Sequence, residues 1–524
     1  MKLSPYSLII GAVVLGSFAC GSSTTKGNSQ ISSAGGMASA SGGGPVSSGG
    51  AGTVAPNGNS GTANLNVPSD TGGMSGSDQC DGGVCACPAS NTTTIEGFVY
   101  DPAGKNPLYN VSVYVPDPTS PLPDLDNVPL GCGCTQLYPA KVLAVGKPTD
   151  ATGHFVIPCA PTGTVSLVVQ TGKWRMQYPN INVVANQANM APKLRLPAKS
   201  SEGSLPNIAI STGASDSLEC LPLRLGVDAS EYALGSATGG HIHIYTGYHG
   251  ATMTAGSVAS YQTLWDKQAD LNEHDVVLLS CEGQETFSGM NRTPLSAATQ
   301  TLLMNYANAG GRVFASHFHY AWFNTGPFAT GANQLATWDT TPPGMMNDGT
   351  SLPADIDTTL PGGAAFPEGS ALQQWLGLVG ALTNNQLPVW FSRTNVKALI
   401  SPPSTEWIHI AASAPRSASS PQYFSADTPV GGAVCGRVVF SDVHVSGGPG
   451  QSVNGVPADY PRTAGTGGPP PPMGGGQAPA GIVPSECAMH ALTPQEAALE
   501  FMFFDLSSCL VPIGQMPPVP VIPK

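Results

Sequence analysis

Charge is scarce in this 524-residue sequence. Charged residues make up 10% of it, with 20 Lys and Arg against 33 Asp and Glu, for a formal net charge of −13. No basic stripe is available to neutralise phosphates, which excludes nucleic acid as a partner. Residues 21–79 contain no Phe, Trp or Tyr and only three charges, Lys26, Asp70 and Asp78. Such a tract cannot bury enough apolar surface to fold and reads as a flexible tether. No compact ligand motif such as His-Glu-x-x-His occurs, so any metal site must be assembled from distant segments. Glycine and proline are abundant instead, 64 and 49 residues. Much of the chain is therefore linker or turn-rich β structure, and its length is enough for two or three domains.

The N-terminus has the layout of a targeting segment, residues 1–19. Lys2 supplies the positive charge, and the apolar run 8–15 is too short to span a bilayer as a mature helix. Cys20 follows Ser17, Phe18 and Ala19, which resembles a bacterial lipobox with the thiol as lipidation site. Ser17 stands where that motif usually has Leu, and Ser17 with Ala19 also fits an ordinary signal-peptidase site. The expectation is an exported protein held to the outer membrane or cell surface by a lipid on Cys20, with secretion as the alternative. Residues 20–91 then carry the anchor and tether. Export favours disulfides. Six of the remaining cysteines precede residue 200 (Cys80, Cys85, Cys87, Cys132, Cys134, Cys159) and five follow it (Cys220, Cys281, Cys435, Cys487, Cys509). If no bridge crosses between domains, the first set can pair completely and the second leaves one thiol over. Cys281 is a candidate for that thiol.

Two textures follow the tether. Residues 92–197 read as all-β, with apolar or alternating runs at 95–100, 111–115, 154–157 and 165–169 and turn signals at Asp101–Gly104 and Asp150–Gly153. From about 203, strands alternate with helical patterns, the signature of βα units. Residues 294–308 form one predicted helix, stopped by Gly310 and Gly311, and residues 370–382 a second. The third, 493–505, opens on a capping box of Thr493 and Glu496 with Pro494 at the first helical position. Residues 446–482 are a Gly/Pro insertion and 511–524 a Pro-rich tail. Residues 325–400 carry several Trp and Pro and read as a lid beside the crevice.

Four segments each run from a buried-strand pattern into polar residues: 241–249 (HIHIYTGYH), 275–282 (DVVLLSCE), 311–319 (GRVFASHFH) and 436–444 (GRVVFSDVH). In an open parallel sheet, ligands sit outside the carboxyl ends of the strands. If the four strands share one sheet, their ends converge on one crevice.

The motifs GFVYDPAG (97–104), NVSVY (110–114), TDATGHF (149–155) and PTGTV (161–165) resemble a carboxypeptidase-regulatory-like, prealbumin-type β-sandwich, interrupted here by a Pro-rich insertion at 116–148. That module is a spacer or docking domain without catalytic residues. Residues 203–510 resemble the class I glutamine-amidotransferase-like fold, in its trehalose-utilisation-protein-like branch. The similarity rests on the first strand and loop at 242–249, the helix, Gly-Gly turn and strand at 305–317, and the strand 436–444. The fold class expected is an all-β sandwich followed by an α/β open parallel sheet of flavodoxin-like type.

Residue by residue, the family's catalytic pattern fails. Its nucleophile elbow requires Gly-x-Cys-x-Gly, and His317 stands at the cysteine position with both glycines gone. The base histidine corresponds to His444, but its acidic partner two residues on is Ser446. Glutamine hydrolysis is therefore not expected. Catalytic candidates are His317, His444, Cys281 and Glu282. An adjacent carboxylate works against a Cys281 nucleophile, and a disulfide to Cys220 or Cys435 is the simpler role. His249, His317, His319 and His444, with Glu282 or Asp442, could instead bind a divalent metal such as zinc. His317 and His319, two apart on one strand, would point the same way, as would His241 and His243 on another. Tyr248, His249, Glu282, His317, His319, Tyr320 and His444 are the expected ligand-binding residues, with Tyr245, Phe318, Trp322 and Phe323 either lining an aromatic rim or packing in the core. Two roles are open. One is a non-catalytic surface protein that binds a glycan or envelope component. The other is a metal-dependent hydrolase acting on extracellular carbohydrate or amide substrates.

Overall fold

A computed structural model describes residues 91–213, 216–235, 239–247, 259–282, 295–340, 351–390, 392–414, 420–445, 487 and 489–518. It adds the backbone of four two-residue strands at 80–81, 84–85, 452–453 and 456–457. Cys20, the leader and tether up to residue 79, Tyr248, His249 and the Gly/Pro insertion at 446–482 lie outside the described residues, apart from those two strands in the insertion.

The first half is a pair of sheets. β1 (Thr94–Tyr100), β2 (Ser112–Pro116), β3 (Val142–Val145), β4 (His154–Pro158), β5 (Gly163–Thr171), β6 (Trp174–Val183), β7 (Ala188–Met190), β8 (Leu194–Arg195) and β9 (Gly203–Ser204) build it. One sheet runs β8-β1-β4 with β7 also on β1, and the other β9-β6-β5-β2-β3. The turn signals act as their residues dictate. Gly104 donates its N–H to the Asp101 carbonyl at 2.8 Å, and Gly153 to that of Asp150 at 2.9 Å. Both glycines are left-handed, φ +67° and +76°, where a side chain would be strained.

The second half centres on a ten-stranded sheet. It comprises β10 (Ile208–Ser211), β11 (Tyr232–Leu234), β12 (Ile242–Tyr245), β13 (Val276–Leu279), β14 (Arg312–Ser316), β15 (Leu352–Ile356), β16 (Leu387–Val389), β17 (Ser404–Ile410), β18 (Pro421–Thr428) and β19 (Gly436–Ser441). The order is β11-β12-β10-β13-β14-β19-β18-β17-β15-β16. Strands β11 to β19 in that order are mutually parallel, and the remaining four pair antiparallel. The expected open parallel sheet is therefore a mixed sheet. Its antiparallel half comes partly from 325–400, which supplies β15 and β16 and so forms part of the sheet body. The parallel strands are buried on both faces, which their unbroken Val/Ile/Leu runs anticipate.

Three longer helices flank the sheet: α1 (Ala297–Asn308), α2 (Pro367–Leu378) and α3 (Pro494–Ser507). α1 stops where the Gly pair predicts. α2 begins three residues before the predicted start, with Pro367 in its first turn. α3 has the predicted capping box: Thr493 N–H donates to Glu496 Oε2 at 2.8 Å, and Glu496 N–H to Thr493 Oγ1 at 3.2 Å. Every residue of α3 from Gln495 to Ser507 is buried, because it lies between the sandwich and the ten-stranded sheet. Trp174 of β6 packs against Phe503 and Phe504, and Tyr109 stacks on Phe501. One apolar core consequently runs from Ile95 through Phe503 to Ile210 and Trp407, and residues 79–524 form one compact unit.

The disulfides are compatible with an extracellular or surface protein, but they do not follow the expected partition. Cys132 is bonded to Cys435, Cys134 to Cys509 and Cys220 to Cys487. Two bridges thus leave the sandwich insertion for the α/β part, because that insertion packs on it. Cys159 is also disulfide-bonded, whereas Cys281 is buried and takes part in no disulfide.

Glu368, in the first turn of α2, is 3% exposed. Burial pushes its pKa up to about 7, the Asp505 charge adds to this, and the Gly514 N–H opposes it. An unfolded glutamate titrates near ~4.3. The folded state therefore holds this proton more tightly, and the contribution to stability is full below ~4.3 and lost as pH rises through about 7. Glu368→Gln should flatten the decline of the unfolding midpoint between pH 5 and pH 8, read by thermal melts across that range. An unchanged slope would show that this carboxyl does not contribute to it.

Candidate metal centre at the carboxyl ends of the parallel strands

β10, β13, β14 and β19 are neighbours in the sheet, and each ends in a residue of one buried cluster. The chain crosses to opposite sides of β10, so these ends lie at a switch point of the sheet, the place where open α/β sheets bind ligands. After β10 comes Asp216, after β13 Cys281, after β14 His317 and after β19 His444, all at most 1% exposed. Gly213 allows β10 and β13 to approach: a Cβ at that position would lie 2.2 Å from the Cys281 carbonyl oxygen.

His317 does not continue its strand. Its φ is +48°, and it opens a 3₁₀ turn, His317–Trp322. A left-handed non-glycine residue is held only where its surroundings over-determine it. A sharp left-handed turn therefore ends β14, with an imidazole at its first position. The thiol of Cys281, just beyond the adjacent strand β13, meets it: Cys281 Sγ lies 3.0 Å from His317 Nδ1. The His317 and His444 rings are 4.5 Å apart between centroids. One ligand atom each from Cys281, His317 and His444 lies within 4.8 Å of the others, so the three form a group that could hold a metal ion.

Asp216 organises this cluster. It accepts hydrogen bonds from Ser316 Oγ and, at 2.9 Å, from Val445 N–H, the neighbours of the two histidines. Its Oδ2 is 3.8 Å from His444 Nδ1, an ion-pair distance. Burial alone would lower the His444 pKa, but the charges of Cys281 and Asp216 outweigh it and hold the pKa up at about 10. His317 lies well below the usual imidazole range, first through burial and then through the charges of His444 and Arg393. In the metal-free cluster His317 is therefore neutral and His444 carries the proton, which an incoming ion would have to displace to take His444 as a ligand. His317 Nε2 is buried and has no hydrogen-bond partner.

The other expected site residues divide. His319 shares the 3₁₀ turn but not the direction, because a 3₁₀ turn does not keep strand alternation. Its Nε2 bonds the Ser280 carbonyl at 2.8 Å and its Nδ1 accepts from Trp322 Nε1 at 3.1 Å, so both nitrogens are occupied and it is no ligand. Tyr320, Trp322, Phe323 and Tyr245 are core residues rather than a rim. Glu282 is buried beside Gly247 and is not part of the ligand group. Asp442 accepts from Val396 N–H at 2.9 Å. His241 bonds Glu231 at 2.7 Å and His243 bonds His274 at 2.7 Å, at the other end of β12 from the site. Sequence reasoning missed Asp216, because its strand, 208–211, is short and only later acquires neighbours.

No family model and no curated protein matches the chain. Among solved structures, a Coh3ScaB–XDoc_M1ScaA type II cohesin–X-dockerin complex from Acetivibrio cellulolyticus aligns at 15% identity and TM-score 0.15, over 26% of this chain and 85% of that one. A thua-like protein from Bacteroides uniformis aligns at 8% identity and TM-score 0.25, over 45% and 80%. At these scores the likenesses add nothing to the chemistry of the site.

Proposed function

We propose that this chain is an exported, lipid-anchored bacterial envelope protein whose α/β part is a metal-dependent hydrolase, the metal held by Cys281, His317 and His444. The observation that carries this reading is the convergence of those three ligand atoms, within 4.8 Å of one another, at the ends of three adjacent strands. One thiolate and two imidazoles suit zinc, and three protein donors leave a position for water or substrate. A bound ion of this class would lower the pKa of its water and polarise a carbonyl. Asp216 orients His444 from behind, as carboxylates behind ligating histidines do. Disulfides support the exported location, and envelope carbohydrate or amide compounds are the substrates to try. Of the two roles the sequence leaves open, ligand binding and hydrolysis, the donor set favours the second. The Asp216 contact also supports a metal-free reading, in which Cys281, His444 and Asp216 act as nucleophile, base and orienter.

Elemental analysis of the purified full chain separates the two. The metal reading expects about one zinc-class ion per chain, lost in Cys281→Ser, His317→Ala and His444→Ala but kept in His319→Ala. Asp216→Asn should weaken metal affinity by roughly 10–100-fold, measured by chelator competition. A chain that takes up no ion even after zinc supplementation, yet is alkylated rapidly at Cys281, would replace the metal reading with the thiol one.

A further inference from the structure

Arg393 lies at the edge of this centre; its charge reaches the buried Asp442 carboxyl, but among the described residues no carboxylate pairs with it directly. Its backbone is fixed to the end of β19: its N–H donates to the Asp442 carbonyl at 3.0 Å, and Gln422 Nε2 donates to its own carbonyl at 2.9 Å. Ser392 also bridges Val443. The guanidinium carbon stands 5.2 Å from the centroid of the Phe318 ring, a cation–π distance, and Phe318 in turn lies 4.2 Å from the His317 ring. Among the described residues, no carboxylate lies within 4.0 Å of the guanidinium. Its Nε is buried with no acceptor, although the residue as a whole is only half-buried.

This combination is costly unless something is bound there. A buried donor without an acceptor forfeits its hydration, and such groups in native structures call for an unseen partner. Elsewhere in this protein, the most deeply buried guanidinium groups are matched by carboxylates, Arg224 by Glu496 and Arg437 by Asp427 and Asp505, while Arg175 and Arg312 each keep one buried nitrogen without an acceptor but donate to backbone carbonyls through another. Arg393 lies next to the His317 side of the cluster through Phe318, with its side chain held against that aromatic ring, which limits its freedom.

We propose that Arg393 is an anion subsite of the metal centre, so that the substrate carries an oxyanion group, a carboxylate or a phosphate, beside the bond the centre acts on. Guanidinium groups bind both anions with two parallel N–H···O bonds. The position of the subsite rests on the centre described above, but anion binding at Arg393 needs no metal, so the two ideas fail separately.

The test is isothermal titration of the full chain with sodium acetate and with inorganic phosphate, before and after chelator treatment, with metal content measured on each sample. The expected result is saturable binding of at least one anion that persists after metal removal. Arg393→Met should weaken it tenfold or more at unchanged metal content, and Arg393→Lys should retain part of it. The anion that binds more tightly identifies the class. Equal binding by Arg393→Met would overturn the proposal. So would binding that disappears with the metal but survives in Arg393→Met, since the anion would then sit on the ion. Absence of binding by either anion at about 10 mM in the folded parent protein would overturn it as well.

Discussion

Removing the Cys132–Cys435 and Cys134–Cys509 bridges, as the Cys→Ala pairs, is expected to cost about 2–5 kcal/mol each. The bridges join residues 303 and 375 apart in sequence. Closing loops of that length restricts the unfolded chain strongly, so the chain-entropy account puts both near the upper end of that range. They start two residues apart, in the insertion between β2 and β3, and end at two points of the α/β part: just before β19 and just after α3. The second bridge adds little new closure once the first is present. The quadruple variant should therefore lose less than the sum of the two pairs. Guanidinium unfolding of the parent, the two pairs and the quadruple variant measures this. Identical midpoints in all four would mean that apolar packing around α3 alone holds the sandwich to the sheet.

Arg224→Met is expected to destabilise the protein by about 3–5 kcal/mol, because it leaves a buried carboxylate without its cation. Arg224 and Glu496 are 1% and 3% exposed. Glu496 serves two structures at once. Its Oε2 accepts from the Thr493 N–H and closes the capping box, while its Oε1 meets the Arg224 guanidinium. Glu496→Gln keeps an oxygen for the cap but removes the charge. Combined with Arg224→Met it should recover much of the loss, since replacing both members of a buried pair leaves no stranded ion. Chemical denaturation of the two single variants and the double variant decides the matter. Strictly additive losses would show that the two side chains are not coupled. The consequence reaches the site, because Gln495, the residue before Glu496, donates to the His444 carbonyl. A start of α3 that frays would loosen one of the three candidate metal ligands.

Much of the architecture was legible residue by residue. Asp-x-x-Gly turns, the Thr493–Glu496 cap and the Gly310–Gly311 stop are local, and each appears where its chemistry requires. The four strand-end segments do share one sheet. What the sequence does not show is what lies next to each segment. His319 was paired with His317 by strand periodicity, but the chain leaves the strand at His317. Tyr320 and Trp322, which follow it, turn inward with the 3₁₀ turn. Residues 325–400 carry no long apolar run, yet they pair antiparallel with β17 and complete the sheet.

By itself, the sequence determined the local pieces: apolar runs that must be buried strands, helix ends with their caps, too little positive charge for nucleic acid, and histidines and a thiol placed just beyond strands. These follow from side-chain chemistry within a few residues. Only the tertiary structure decided which strands adjoin. Parallel neighbours are joined by crossovers of any length, so the order β10-β13-β14-β19 is written in no segment. That order brings Cys281, His317, His444 and Asp216 from four distant segments into one buried cluster, sets Arg393 at its edge, and carries the disulfides across from the sandwich.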